Sequence, residues 1–327
     1  MLDTIGVTAP DMDALTSLQP DGVLNGFLSL LSAQSGGVVR SAGLLIGIIL
    51  LYALAEGLRQ TVHEPALAEA FGTVCTLAAC GTILLSVAGC VRDACAAAES
   101  ASVFMLSFVP VYAGVLLASG HAALAASYQS VVLFAAELMT AACTGVVAPL
   151  LSMSLAMSAC GSVTGGVRLD SVGGLLNRAA VWILGTLTTL FTALLSLQSI
   201  VGAAADSFGG RVAKLSISSL VPVVGSALGD AFNTVRGCLH LLRSTLGAFG
   251  VLATALLLLP PLLRCAVWAV CLNVCVTASE LFALPPLTAL CKAALGVVKT
   301  LIGVLAACGL FLIVTTTIVT MAGGHAG

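Results

Sequence analysis

Long apolar runs with almost no charged residues follow one another along this chain. They begin with Ala42–Leu58 and Phe71–Val91 and recur up to a final run at Thr300–Met321. Charged residues make up 8% of the 327 residues, whereas a soluble domain carries about 25%. A helix needs about 20 apolar residues to cross the hydrocarbon layer of a membrane. The chain is therefore predicted to be an all-α polytopic transmembrane protein.

About eight membrane spans are predicted, within a range of seven to nine, from the number of such runs. Further clear runs are Ala101–Ala118 and Val181–Val201. Thr245–Ala283 is long enough for two spans, and Pro260 and Pro261 divide it. Proline lacks an amide hydrogen and its ring clashes with the preceding helical turn. A helix is therefore predicted to end at these two prolines.

The stretch Ala122–Cys160 leaves the topology open. It stays apolar over about twice the length of one crossing, and Glu137, Gly145 and Pro149 interrupt it. It can form one span with a broken half-helix, or two short spans. Loops rich in Lys and Arg stay on the inner side of a membrane. This bias places the N-terminus inside if the stretch crosses twice, and outside if it crosses once.

One polytopic membrane domain, residues 42–323, is predicted between an acidic N-terminal segment and a short tail, residues 324–327. The segment 1–41 has no basic residue before Arg40, unlike the positively charged start of a signal peptide. Either the protein inserts through its first span, or an upstream leader has been removed. Apolar residues at helical spacing in this segment predict a short helix, which lies on the bilayer surface or packs against the protein.

The least membrane-like stretch, residues 217–244, contains a strongly amphipathic helix. Its polar face carries Asp230, Asn233, Arg236, His240 and Arg243. A short apolar arm precedes it, and this arm is interrupted by Pro222, Gly225 and Gly229. The pattern predicts either a broken, re-entrant element whose polar face lines water or a partner, or a helix in the membrane plane with no transport role.

Glu137 is the one acidic residue deep within an apolar run. A carboxylate at that depth is costly unless it pairs with another group, stays protonated or faces water, so such residues often mark a transport pathway. If the chain turns near Glu137, the residue instead lies at the membrane surface and needs no function.

Enzyme signatures are absent from the sequence. No GxSxG elbow, GxxxxGK phosphate loop or GxGxxG fingerprint occurs. His63-Glu64 begins like the HExxH motif of a zinc protease, but Leu67 stands in place of the second histidine. The twelve cysteines form no CxxC pair and lie mostly within apolar runs, where they are expected to pack as small apolar residues. Neither catalysis nor a metal or other cofactor is predicted, and the lack of a basic block argues against a nucleic-acid partner.

The stretch Leu220–Val235, with the sequence LVPVVGSALGDAFNTV, resembles the signature region of the stage III sporulation protein AE family. Similar matches surround it at Ala203–Asp206, Leu242–Gly247 and Leu312–Val319. The order and spacing of the apolar runs also fit, so the resemblance extends over Ala42–Gly323. Family members usually begin with a leader, whereas this chain begins with an acidic segment.

The resemblance implies a non-enzymatic membrane subunit of a sporulation complex. Such proteins belong to a mother-cell assembly, with an ATPase and ring-forming subunits, which meets a forespore membrane protein and forms a channel or feeding apparatus. The chain would then lie in the mother-cell membrane around the forespore, as a platform or as part of the conduit, and it could form homo-oligomers. The residues themselves leave an alternative, a stand-alone secondary transporter or permease that uses Glu137.

Overall fold

The computed structural model describes residues 20–59, 65–119, 122–164, 169–218 and 225–322, which are almost entirely helical. No strand occurs among them, in agreement with the predicted all-α class. The helices are α1 (Pro20–Arg59), α2 (Pro65–Ala118), α3 (Ala122–Ala142), α4 (Ala148–Thr164), α5 (Leu169–Ser218), α6 (Gly225–Leu281) and α7 (Pro285–Ala322). Residues 1–19 and the predicted tail lie outside the described residues.

Six helical stretches in the described part of the chain are long and apolar enough to cross a membrane. They are Gly36–Gly57, Ala70–Ala118, Ala125–Val163, Ser171–Gln198, Ser244–Leu281 and Pro285–Thr317. Six is fewer than the predicted seven to nine because two pairs of predicted spans each lie on one helix. Phe71–Val91 and Ala101–Ala118 both lie on α2, and the two spans predicted within Thr245–Ala283 both lie on α6. The number of membrane crossings stays a prediction.

Helix α6 continues through Pro260 and Pro261, so the predicted helix end at these residues is wrong. Each proline removes one amide donor, but a helix in apolar surroundings keeps its other backbone hydrogen bonds because no water competes for them. Packing supports the same stretch. Leu258 is buried, and one of its methyl carbons lies 3.2 Å from the position that a Cβ on Gly309 of α7 would occupy.

Helices α3 and α4 form one continuous helix, because a π-helical turn at Cys143–Val147 joins them. In this turn the amide of Ala148 donates to the carbonyl of Cys143. The turn ends two residues before Pro149, which cannot donate an α-helical hydrogen bond. The wider π-helical turn lets the helix continue through this proline. The stretch Ala122–Cys160 is therefore neither broken into a half-helix nor divided into two short spans.

Side-chain contacts give the directions of the helices. Helix α6 runs antiparallel to α2, with Gly250 against Phe108 and, further along, Arg264 against Gly89. Helix α6 is also antiparallel to α7, because Gly250 meets Thr316 near the far end of α7. Helix α7 is the most central of the six membrane-spanning helices. In its most apolar segment 56% of the residues are buried, against 22% in that of α1.

The core consists of apolar side chains that the helices turn toward α7. Met105 of α2, Leu151 of α4, Leu272 of α6 and Leu305 of α7 are fully buried in it. Lipid chains are as apolar as these side chains, so burial by itself stabilises a membrane bundle only weakly. Close packing between helices therefore carries more of the stability here than it would in a soluble domain.

Candidate functional site

An ion pair joins α2 to α6, halfway along α2 and about two-thirds of the way along α6. Arg264 donates a hydrogen bond from Nη1 to Oδ2 of Asp93, and both side chains are about one-third exposed. Gly89 makes room for the guanidinium, since a Cβ at that position would lie 3.1 Å from Nη2 of Arg264. The buried cysteines Cys90 and Cys265 lie beside the pair on the same two helices. Charged groups that are partly buried among apolar side chains are costly unless they are paired, and these two are paired.

Uncharged polar contacts join α5 to its neighbours. Thr300 of α7 donates to the amide oxygen of Asn177 over 2.9 Å, and Ser154 of α4 donates to the carbonyl of Gly173 over 2.7 Å. Gly173 permits this approach because a Cβ there would lie 2.9 Å from the Ser154 carbonyl oxygen. Small and hydroxyl-bearing residues commonly make such close helix contacts in membranes. These contacts hold helices in register, and neither of them pairs a nucleophile with a base.

The residues of the predicted polar face, Asp230, Asn233, Arg236, His240 and Arg243, all lie in α6. Their backbone is helical, which is the condition that the predicted face requires, but their side chains lie outside the described part of the structure. Nearby positions of the same helix are exposed, with Leu241 at 66% and Leu242 at 48%. The polar face therefore stays a prediction, on a stretch of helix that the bundle leaves partly uncovered.

The predicted break before this helix has a different extent in the structure. Helix α6 begins at Gly225 and runs through Gly229, so the predicted break at Gly229 is wrong. Helix α5 continues to Ser218, which takes the start of the predicted apolar arm into its last turn. Pro222 lies outside the described residues, and the re-entrant path stays a prediction.

Glu137 is exposed on the outer surface of α3. The chain does not turn there, because α3 continues to Ala142 and on into the π-helical turn, so the alternative that required a turn is wrong. The adjacent Ala136 and Met139 face inward and line a cavity of about 10 Å³ between α2, α3 and α7. Such a cavity has room for about one water molecule. A pathway role for Glu137 stays a prediction.

Most of the twelve cysteines are buried, and all of them are free thiols. Within the described residues, no group of three His, Cys, Asp or Glu side chains is placed to hold a metal ion.

Sequence reasoning does not single out Asp93, the acidic half of the ion pair. The sequence does mark both residues as unusual. Arg92-Asp93 separates two apolar runs, and Arg264 follows the two prolines of a third apolar run. Nothing in the sequence brings those two runs together, since they are about 170 residues apart along the chain and their contact depends on the antiparallel packing of α2 and α6.

Comparisons with known proteins find related sequences. The family model described as stage III sporulation protein AE matches residues 12–323. The stage III sporulation protein AE of Bacillus subtilis (strain 168) is 29% identical over 155 residues, which cover 47% of this chain and 39% of that protein. The match thus spans less than half of that relative's length. No solved structure matches the chain. Because the family model covers nearly the whole sequence, the chain belongs to the stage III sporulation protein AE family.

Proposed function

We propose that this sporulation protein is a non-enzymatic subunit of a larger membrane assembly. The assembly would be a channel or feeding apparatus between mother cell and forespore, and the chain would lie in the mother-cell membrane as its platform. The other mother-cell sporulation membrane proteins, including an ATPase and ring-forming subunits, are the proposed partners. The observation that carries the proposal is the length of the apolar helices.

The candidate membrane-spanning stretch of α2, Ala70–Ala118, is 49 residues long, and Arg92, Asp93 and Glu99 are its charged residues. At about 1.5 Å per residue such a helix is about 74 Å long. The hydrocarbon layer is about 30 Å thick, and a steep tilt of about 40° lengthens the path of a helix through it to about 39 Å. One membrane crossing therefore accounts for about half of the length of this stretch.

Large apolar side chains point outward along the whole of α2. Val74 is 62% exposed and Leu85 is 76% exposed in its first half, while Leu106 is 47% and Leu117 54% exposed in its second half. Lipid can cover only one of these halves if the helix stays continuous. An exposed apolar surface of this size outside lipid is typical of a contact with another protein. This supports a subunit of an assembly over a stand-alone transporter.

The interior of the bundle favours a platform over a conduit contained within one chain. Tyr112, Leu116 and Trp268 are fully buried between the helices and fill the space that a channel would need. A second internal cavity, between α2, the π-helical turn and α7, also measures about 10 Å³. Cargo would then pass along surfaces shared between subunits.

Affinity purification tests the proposal. A tagged chain is solubilised in mild detergent from sporulating cells and, as the control, from vegetative cells that express the same chain. We expect the other sporulation membrane proteins to co-purify from the sporulating cells alone. A monomer that purifies without partners from both cultures, together with normal forespores after deletion of the gene, would contradict the proposal.

The transporter alternative has its own test, an ion-coupled uptake assay in liposomes. If Glu137 carries ions, purified chain alone supports uptake, and Glu137→Gln abolishes it while Glu99→Gln, a change of another exposed carboxylate, does not. We expect no uptake from any of the three proteins, because Glu137 lies on the outer surface of α3.

A further inference from the structure

Two basic residues lie at about the same level on the neighbouring helices α2 and α6. Arg264 pairs with Asp93, and Arg92 is the preceding residue on α2. Arg92 is exposed and makes no ion pair with any of the described residues. This part of the bundle therefore presents positive charge on its outer surface.

Two more basic residues lie at about the same level on α5 and α7. Asn177 of α5 accepts a hydrogen bond from Thr300 of α7. The residue after Asn177 is Arg178, and the residue before Thr300 is Lys299, so these two cations lie at the same depth. Both are exposed, and neither forms an ion pair within the described chain.

The two pairs lie at one level of the bundle. Ala94 of α2 and Leu301 of α7 line the same small cavity, and each lies two residues beyond a basic residue, Arg92 and Lys299 respectively. Four helices thus place one cation each at this level. We name the set Arg92, Arg178, Arg264 and Lys299 the basic belt.

An exposed tryptophan lies one helical turn from the basic belt. Trp182 follows Arg178 by four residues on α5 and is 72% exposed, whereas the other tryptophan of the chain, Trp268, is 1% exposed. Tryptophan is enriched where a membrane protein passes the lipid headgroups, because its ring is apolar and its N–H is polar. Basic side chains reach the phosphates at the same level.

Uncharged runs of bilayer length start on one side of the belt. Residues 179–198 of α5 follow Arg178 without a charged residue, and residues 300–317 of α7 follow Lys299 in the same way. A helix of about 20 residues crosses a hydrocarbon layer of about 30 Å. On the other side of the belt lie charged groups, among them the ion pair of Lys292 with Glu280.

We propose that the basic belt and Trp182 bind the anionic phospholipid headgroups of one leaflet, with residues 179–198 and 300–317 in the hydrocarbon beyond them. The surface of the bilayer then passes through the middle of the bundle. On α2 the uncharged run starts later, after Glu99, and Glu137 of α3 lies at a similar depth. Glu99 lies seven residues, about 10 Å along the helix, beyond Arg92, so these carboxylates lie on the hydrocarbon side of the belt, where a carboxylate is costly unless it is paired or faces water.

Fluorescence of Trp182 tests the proposal on the purified chain, so the result does not depend on the proposed assembly. The protein is reconstituted in phosphatidylcholine vesicles that contain spin-labelled lipid as quencher, either phosphatidylglycerol or phosphatidylcholine. The Trp182→Phe variant gives the background from buried Trp268. We expect stronger quenching by spin-labelled phosphatidylglycerol, and high salt should weaken this preference because it screens exposed charges.

The variant Arg92→Gln/Arg178→Gln/Lys299→Gln should lose the preference for phosphatidylglycerol. Each basic residue near an anionic surface changes binding by about fivefold, so the combined loss should exceed tenfold. Arg264 is left unchanged because it holds the ion pair. The control, Glu99→Gln/Glu137→Gln, should keep or increase the preference. Equal quenching of the wild-type protein by the two lipids, or an unchanged preference in the triple variant, would overturn the proposal.

Quencher depth gives a measurement that needs no charge variant. A spin label near the headgroup should quench Trp182 more strongly than one at the end of the acyl chain. Stronger quenching by the deep label would place Trp182 near the bilayer centre and overturn the proposal.

Discussion

The ion pair between Asp93 and Arg264 shows how much one residue contributes to this fold. Its two side chains come from helices that are distant in sequence, and Gly89 provides the space that the guanidinium occupies. A charged group left alone at this level loses its partner without regaining full hydration. The pair therefore fixes the register of α2 against α6, because any slip of one helix separates the two charges.

Replacing Arg264 by Gln should destabilise the protein by about 1–3 kcal/mol, because the carboxylate of Asp93 loses its charged partner. Denaturant titration of the protein in detergent measures this loss. Lys292→Gln is the matched control. It breaks the ion pair between Lys292 and Glu280, in which both side chains are at least half exposed. Exposed pairs contribute about 1 kcal/mol or less to stability. Equal losses in the two variants would show that Asp93 and Arg264 are no more than a surface pair.

The charge-swapped variant Asp93→Arg/Arg264→Asp separates pairing from packing. If the attraction between the two charges holds α2 against α6, the swap should recover part of the stability that either single change removes. If the double variant loses as much stability as the two single variants together, the pair has no role in holding the helices.

Whole helices here are held by close contacts at particular glycines. At Gly250 of α6 a Cβ would lie 2.7 Å from Cγ2 of Thr316 and 3.0 Å from Cζ of Phe108. Phe108 also packs on Phe249 and Tyr112, so its ring has little freedom to move aside. This crossing of α2, α6 and α7 thus depends on the absence of a side chain at one position.

Gly250→Ala should lower the unfolding midpoint, because overpacking of a close contact costs about 1–3 kcal/mol. Gly237→Ala, on the same helix, is the control: Gly237 is exposed and has open space around its Cβ position. There the change should stabilise the helix by up to about 1 kcal/mol, because alanine is the better helix former. A thermal melt monitored by circular dichroism in detergent compares the two variants, and a shift in the same direction for both would contradict the contact at Gly250.

The turn between α6 and α7 carries a strained residue. Ala283 has φ 50°, the amide of Leu284 donates to Ser279, and the amide of Ala283 donates to Glu280. This is the Schellman arrangement that ends a helix and usually has glycine at the position of Ala283.

Ala283→Gly should therefore raise the stability by about 1 kcal/mol, and Ala283→Val should lower it, because a left-handed backbone penalises a Cβ and penalises a β-branched one more. Chemical unfolding of the two variants in detergent checks the opposite signs. A stabilising valine would contradict the turn.

For the molecule as a whole, the sequence is sufficient to predict the helical membrane class and the family, because both depend on composition and on local stretches such as Leu220–Val235. It is not sufficient to predict where the helices end. The two prolines predict a helix end at Pro260, yet α6 continues through them. A complete helix is preferred in apolar surroundings, and Leu258 packs on α7; together these outweigh the two missing amide donors. Contacts such as Asp93 with Arg264 depend on the packing of distant segments, which no local pattern reports.

Photocrosslinking along α2 in sporulating cells tests most directly whether long apolar helices of this chain lie partly in lipid and partly against neighbouring proteins. A photoreactive residue is placed in turn at the four outward positions Val74, Leu85, Leu106 and Leu117. We predict lipid adducts at Leu106 and Leu117, and adducts with sporulation membrane proteins at Val74 and Leu85. Lipid adducts alone at all four positions would contradict the account.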